Sequence, residues 1–167
     1  MTQPNNLKIK NKRMVFVVRV AIGSDHAGFI LKEEIKAYLG KSGIEVEDFG
    51  THSQESCDYP LIAQPVAEAV ANGRFRFGIL ICGTGIGVSI TANKVGGVRA
   101  ALCHDTFSAR MTRMHNDANV LALGARVIGT GLALDIVDVF LKTDFEGGRH
   151  SKRVEQICRL DQDRRNE

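Results

Sequence analysis

Residues 75–87 read FRFGILICGTGIG. An apolar run of strand length passes straight into three glycines at alternate positions, Gly83, Gly85 and Gly87, and helical spacing resumes behind them through about Val95. Strand, tight turn and helix in that order form the unit from which parallel α/β sheets are built. Working outward, the unit recurs. VFVVRVAIG (15–23) reads as a strand buried on both faces, and SDHAG breaks it. Phe29, Ile30, Ile35, Tyr38 and Leu39 then carry helical spacing until Gly40 and Gly43 stop it. IEVEDFG (44–50), VRAALC (98–103) and NVLALG (119–124) supply three more strands. Further helices are expected over about 61–72, 106–114 and from Gly129 through Thr143, and a highly charged one follows Glu146. Five strands alternating with helices predict a three-layer α/β/α sandwich, Rossmann-like, with a five-stranded parallel sheet and an extending C-terminal helix.

The bulk properties agree. A chain of 167 residues suits one domain, expected over 14–167 behind a disordered tail at 1–13. Hydrophobic residues at 44% and charged residues at 25% exclude collagen-like, coiled-coil and wholly disordered chains. No apolar run approaches the roughly 20 residues of a membrane span. A net charge of +3 is too mild to argue for nucleic acid. The four cysteines (Cys57, Cys82, Cys103, Cys158) form no C-x-x-C pair, and the basic N-terminus lacks the apolar length of a secretory signal. The expected address is the cytoplasm.

Ligands of such sheets bind beyond the carboxyl ends of the strands, here segments 23–28, 50–60, 82–87, 103–106 and 124–131. The glycine loop lets backbone N–H groups crowd round one point, a nest for a phosphate or an oxyanion. Cys82 stands at its mouth, where the helix end favours a thiolate, although a small buried hydrophobe would look the same in sequence. Asp25 and His26 end the first strand; Asp25 could equally be a helix cap. His115 and Asn116 precede the last strand, and histidine is the usual proton shuttle near neutral pH. Arg126 follows LALGA, and Arg149 and Arg153 lie four apart, on one helix face suited to a phosphate or simply to water. Metal-ligand spacing is lacking: Cys103 and His104 are adjacent, with no C-x₂-C or H-x₃-H partner. G-x-G-x-G also departs from the dinucleotide fingerprint, although Asp105 lies where a ribose-binding acid would fall.

GSDHAGFILKEEI (23–35), Asp58-Tyr59-Pro60, ILICGTGIGVSITANK (79–94), MHNDANVLALGARVIG (114–129) and FEGGRHSKRVEQI (145–157) together resemble the type B ribose-5-phosphate isomerase family, which includes the galactose-6-phosphate isomerase subunits. The resemblance runs from about Val15 to Arg164. It implies interconversion of ribose 5-phosphate and ribulose 5-phosphate through an enediolate, in the pentose phosphate pathway, with no cofactor and no metal. It assigns Cys82 as the base, with Thr84 beside it, and His115 as the ring-opening acid/base. Gly83, Gly85, Ile86 and Gly87 match the loop whose N–H groups hold the enediolate. Asp25, His26, Tyr59, Asn116, Arg126, Arg149 and Arg153 match substrate-binding positions. It further implies a homodimer, or a pair of dimers, with His115 and the helix-borne arginines contributed across the interface, and neither nucleic acid nor membrane as partner. A hexose 6-phosphate (allose or galactose) is the alternative substrate. A phosphate- or nucleotide-binding module without turnover is the alternative class, and a thiol redox protein, lacking a resolving cysteine near Cys82, is a third.

Overall fold

The computed structural model describes residues 19–163. The expected tail at 1–13 and the first residues of the first strand lie outside that range. Eleven elements follow one another: β1 (Arg19–Ser24), α1 (Phe29–Lys41), β2 (Glu45–Asp48), α2 (Pro60–Ala71), β3 (Phe77–Cys82), α3 (Ile86–Ala92), β4 (Ala100–Leu102), α4 (Thr106–Asn116), β5 (Val120–Gly124), α5 (Thr130–Lys142) and α6 (Arg149–Asp163). The sheet is five-stranded in the order β2-β1-β3-β5-β4, with every pairing parallel. Three elements are clearly shorter than their sequence patterns. β2 keeps four residues of IEVEDFG, α3 stops at Ala92 instead of about Val95, and β4 keeps only three residues of VRAALC. No helix among the described residues is long and apolar enough to cross a membrane.

Alternation along the strands divides the core into two layers. Val20, Ile22, Phe77, Ile79, Ile81, Leu121 and Leu123 meet α1, α4 and α5 on one face. Ala21, Leu80, Cys82, Val120 and Ala122 meet α2 and α3 on the other. The strand order explains this division. Right-handed crossovers put a helix on one face when the chain steps one way along the sheet and on the opposite face when it steps back. The chain steps outward from β1 to β2, across to β3 and on to β4, then back to β5. α1 and α4 therefore share a face, opposite α2 and α3.

The order also reverses between β1 and β3, whose carboxyl ends are neighbours: the N–H of Asp25 donates to the carbonyl of Ile81 at 3.1 Å. Gly28 packs so closely there that a Cβ would lie 2.8 Å from the Ile81 oxygen. Such a switch point is where open parallel sheets form a crevice.

Candidate active site

A cavity of about 450 Å³ occupies this crevice, bordered by Asp25, Tyr59, Cys82, Thr84, Ile90 and Arg126 together with the glycine loop. Cys82 is the last residue of β3 and is 5% exposed. Its Sγ accepts the N–H of Gly85 at 3.1 Å. That contact holds the sulfur at the turn, beside the cavity. The turn reaches that geometry only through glycine. Gly85 has φ +76°, and a Cβ on it would lie 2.8 Å from the Leu123 carbonyl carbon. The Thr84 hydroxyl turns instead to the N–H of Ile86, accepting it at 3.3 Å.

The neighbours close round this loop. Tyr59, at the start of α2, lays its ring over Gly87 so tightly that a Cβ there would lie 2.6 Å from Cζ. Arg126 follows β5, donates its N–H to the Gly83 carbonyl at 3.0 Å and brings its Cδ to 3.5 Å from where a Gly83 Cβ would stand. Asp25 is not the cap of α1, whose N-cap is Gly28; its Oδ1 accepts the Gly28 N–H at 3.0 Å and closes the turn ahead of the helix, while it borders the cavity. His26 accepts the Cys57 N–H on Nδ1 at 3.3 Å and so ties the 51–59 loop to β1. Asp105, the acid of the dinucleotide alternative, is occupied as the N-cap of α4, accepting Ser108 N–H at 2.7 Å.

Four of the sequence candidates lie elsewhere. α4 begins beyond the carboxyl end of β4 and runs back for 11 residues, about 16 Å of helix, to end in His115 and Asn116. There the Asn116 carbonyl accepts from Arg99, the residue just before β4. His115 and Asn116 thus sit toward the amino edge of the sheet, with Arg149 and Arg153 at the start of α6 beside them. The chain by itself brings together Cys82, Asp25, Tyr59 and Arg126, but not these four. A second hollow of about 320 Å³ at that edge, bordered by Asn116, Ile157 and Leu160, has no thiol or imidazole in its lining.

Two clusters have no counterpart in the sequence reading. Lys32 is fully buried in α1, its Nζ 2.7 Å from both carboxylate oxygens of Asp48 and 2.6 Å from the Thr51 carbonyl. Burial alone would raise the Asp48 carboxyl, but hydrogen bonds from Lys32 and Lys36 outweigh it and hold it below the usual value. At the amino edge, His115 stacks on His150, ring centroids 4.2 Å apart and planes 7° apart, with Glu146 beside both. Spacing could not expose either cluster, because each joins residues from different elements. Cys103, by contrast, is an inert core thiol: burial, with Asp105 adding, pushes it up to about 11.

Fold and cavity define a parallel α/β sandwich with a thiol seated in a glycine-built amide loop at its switch point. The chain belongs to the ribose/galactose isomerase family, whose sequence profile matches residues 20–157. It is 55% identical over 146 residues to ribose-5-phosphate isomerase B of Escherichia coli K12, covering 87% of this chain and 98% of that one. It is 47% identical over 142 residues to the D-erythrulose-4-phosphate isomerase of Pectobacterium atrosepticum, covering 84% and 93%. Among solved structures, ribose-5-phosphate isomerase B of Clostridium thermocellum superposes with a TM-score of 0.86 at 57% identity, over 87% of this chain and 99% of that one. The protein is an isomerase.

Proposed function

We propose that the protein interconverts D-ribose 5-phosphate and D-ribulose 5-phosphate. The observation that carries the reading is the Gly85 N–H directed at Cys82 Sγ inside the crevice, in a chain 55% identical to a ribose-5-phosphate isomerase B. His115 opens the furanose: the C1–O4 bond breaks, the O1 proton leaves and O4 gains one. The Cys82 thiolate then takes the C2 proton. The electrons form the C1=C2 bond, and the charge moves to the aldehyde oxygen, which the N–H groups between Gly83 and Gly87 receive. Because that charge exists only after proton abstraction, the loop binds the intermediate better than the sugar. The O2 proton then passes to O1, the C2 carbonyl forms, and Cys82 returns the abstracted proton to C1, which completes the ketose. Arg126, Arg149, Arg153 and His26 grip the phosphate; Asp25, Tyr59 and Asn116 hold the open sugar.

This reading needs two chains, the His115 end of one reaching the Cys82 end of the other. Exposed Ile86 and Ile90 near the thiol, and Ile157 and Leu160 on α6, support such pairing, since clustered exposed apolar side chains mark contact surfaces.

The test is proton NMR of ribose 5-phosphate in D₂O with a chelator present. The C2 proton signal should vanish as the ketose grows, and Cys82→Ala should lower kcat at least about 10²-fold. Unchanged turnover by that variant would refute Cys82 as the base. Allose, galactose and erythrose phosphates in the same tube rank the alternative substrates. A module that only binds would leave every sugar unconverted.

A further inference from the structure

The loop before α6 is built onto the end of α4. Glu146 donates its N–H to the Met114 carbonyl at 3.0 Å, which fixes it one residue from His115. Gly147 and Gly148, with φ +70° and +57°, turn the chain into α6, and the His150 N–H closes the turn on the Gly147 carbonyl at 3.0 Å. Glu146 and His150, four apart, then face one imidazole. Glu146 Oε2 lies 3.6 Å from His115 Nε2 and 3.8 Å from His150 Nε2. The donor atoms of the three lie within 4.8 Å of one another, yet the two rings are parallel. An imidazole lone pair lies in its ring plane, and two stacked planes 7° apart do not meet at one nearby ion, as shared metal ligation requires.

His150 is 3% exposed, and Arg149 Nε donates to its Nε2 at 3.3 Å. That bond assigns the ring hydrogen of a neutral imidazole to Nδ1. Burial foremost, then the neighbouring His115 and Arg149, hold His150 below the usual histidine value, which keeps it neutral. A neutral ring can lie against His115 while the latter takes up a proton; a charged one would oppose it.

We infer that Glu146 and His150 are positioning residues for the ring-opening step: His150 fixes the plane of the His115 ring, and the Glu146 carboxylate offsets the positive charge that ring acquires when it accepts the sugar proton. The inference rests on the isomerase reading above and adds two groups to it. Arg149 ties the same unit to the phosphate, because the ring that backs His115 also accepts from this guanidinium.

The chemistry supplies a selective assay. Ribulose 5-phosphate cannot close a furanose, because its C5 oxygen is esterified. Exchange of its C1 hydrogen with D₂O therefore needs the Cys82 half of the site and no ring opening, whereas conversion of ribose 5-phosphate needs both. His115→Asn is the benchmark and should lose ribose conversion while keeping exchange. Glu146→Gln, at a half-exposed position, should lower kcat/KM for ribose 5-phosphate by about tenfold or more, in the range of supporting-residue effects on an active site, with exchange within about twofold of wild type. His150→Asn should show the same split, plus a raised KM for both sugars as Arg149 loses its acceptor. If both activities fall together in Glu146→Gln, or neither falls, the positioning role is overturned. If His115→Asn itself shows no split, His115 as ring opener is wrong. If wild type converts neither sugar, the substrate assignment is wrong.

Discussion

Replacing Asp48 with asparagine should weaken the fold far more than removing the lysine it holds. Lys32 Nζ is wholly buried with three acceptors, two from Asp48 at 2.7 Å and the Thr51 carbonyl at 2.6 Å. Asparagine takes away the nearer counter-charge and leaves the buried ammonium only the half-exposed Glu33 carboxylate at 3.4 Å, a loss of about 3 kcal/mol. For a chain of this size that lowers the melting temperature on the order of 10 °C. Lys32→Met instead fills the space with apolar atoms, while Asp48 keeps Lys36 at 2.5 Å and the Gly50 N–H at 2.9 Å. Its cost should be about 1–2 kcal/mol or less. Acid gives a second signature. Asp48 titrates below the ordinary 3.8 in the folded chain, so on acidification the unfolded chain takes up the proton first. Its stabilisation is whole above that ordinary value and is lost as pH falls through the lower one, a slope that Asp48→Asn should lack. Urea unfolding of both variants at neutral and acid pH measures this. Activity assayed alongside reports on the Thr51 loop, which leads to Tyr59. Costs for the two variants equal within about 1 kcal/mol would refute the claim that loss of the Asp48 charge beside a buried ammonium sets the asymmetry.

Gly87→Ala forces a methyl into the Tyr59 ring, 2.6 Å from Cζ. KM should rise with little change in melting temperature, and adding Tyr59→Ala should recover part of the glycine variant's loss; steady-state kinetics of the three variants decide it. Iodoacetamide near neutral pH should leave Cys103 unlabelled, since its thiol stays protonated up to about 11. Ribose 5-phosphate should protect Cys82 but not Cys57 or Cys158. Peptide mapping reads each site, and labelling of Cys103 in the folded chain would contradict its burial.

The layers, all five strands and the glycine turn were legible because each rests on local pattern: apolar runs of strand length, then glycines where a helix must start. Strand order was not, since nothing in VRAALC says that β4 lies outside β5. The trimming of α3 and β4 has the same origin. Asn93, at the C-cap of α3, bonds with its side chain to both the N–H and the carbonyl of Ala100, so tertiary contact decides where both elements end. Cys82, Asp25 and Arg126 could be picked out because strand ends are where such sheets bind. Lys32 could not, because its acceptor lies 16 residues on and a lysine in FILKEEI reads as solvated. Glu146 and His150 were hidden in a motif where the arginines drew attention, and only the fold brings them to His115.

The reversal that sends α4 back along the sheet has a genetic consequence. A chain that has lost its thiol still carries a sound imidazole at the other end, and a chain that has lost its imidazole still carries a sound thiol. In the paired assembly proposed above, a mixed dimer of the two collects both lesions in one composite site and leaves the other intact. Two null alleles of this locus, brought together in one cell, would therefore complement each other, which a site confined to one chain could not permit.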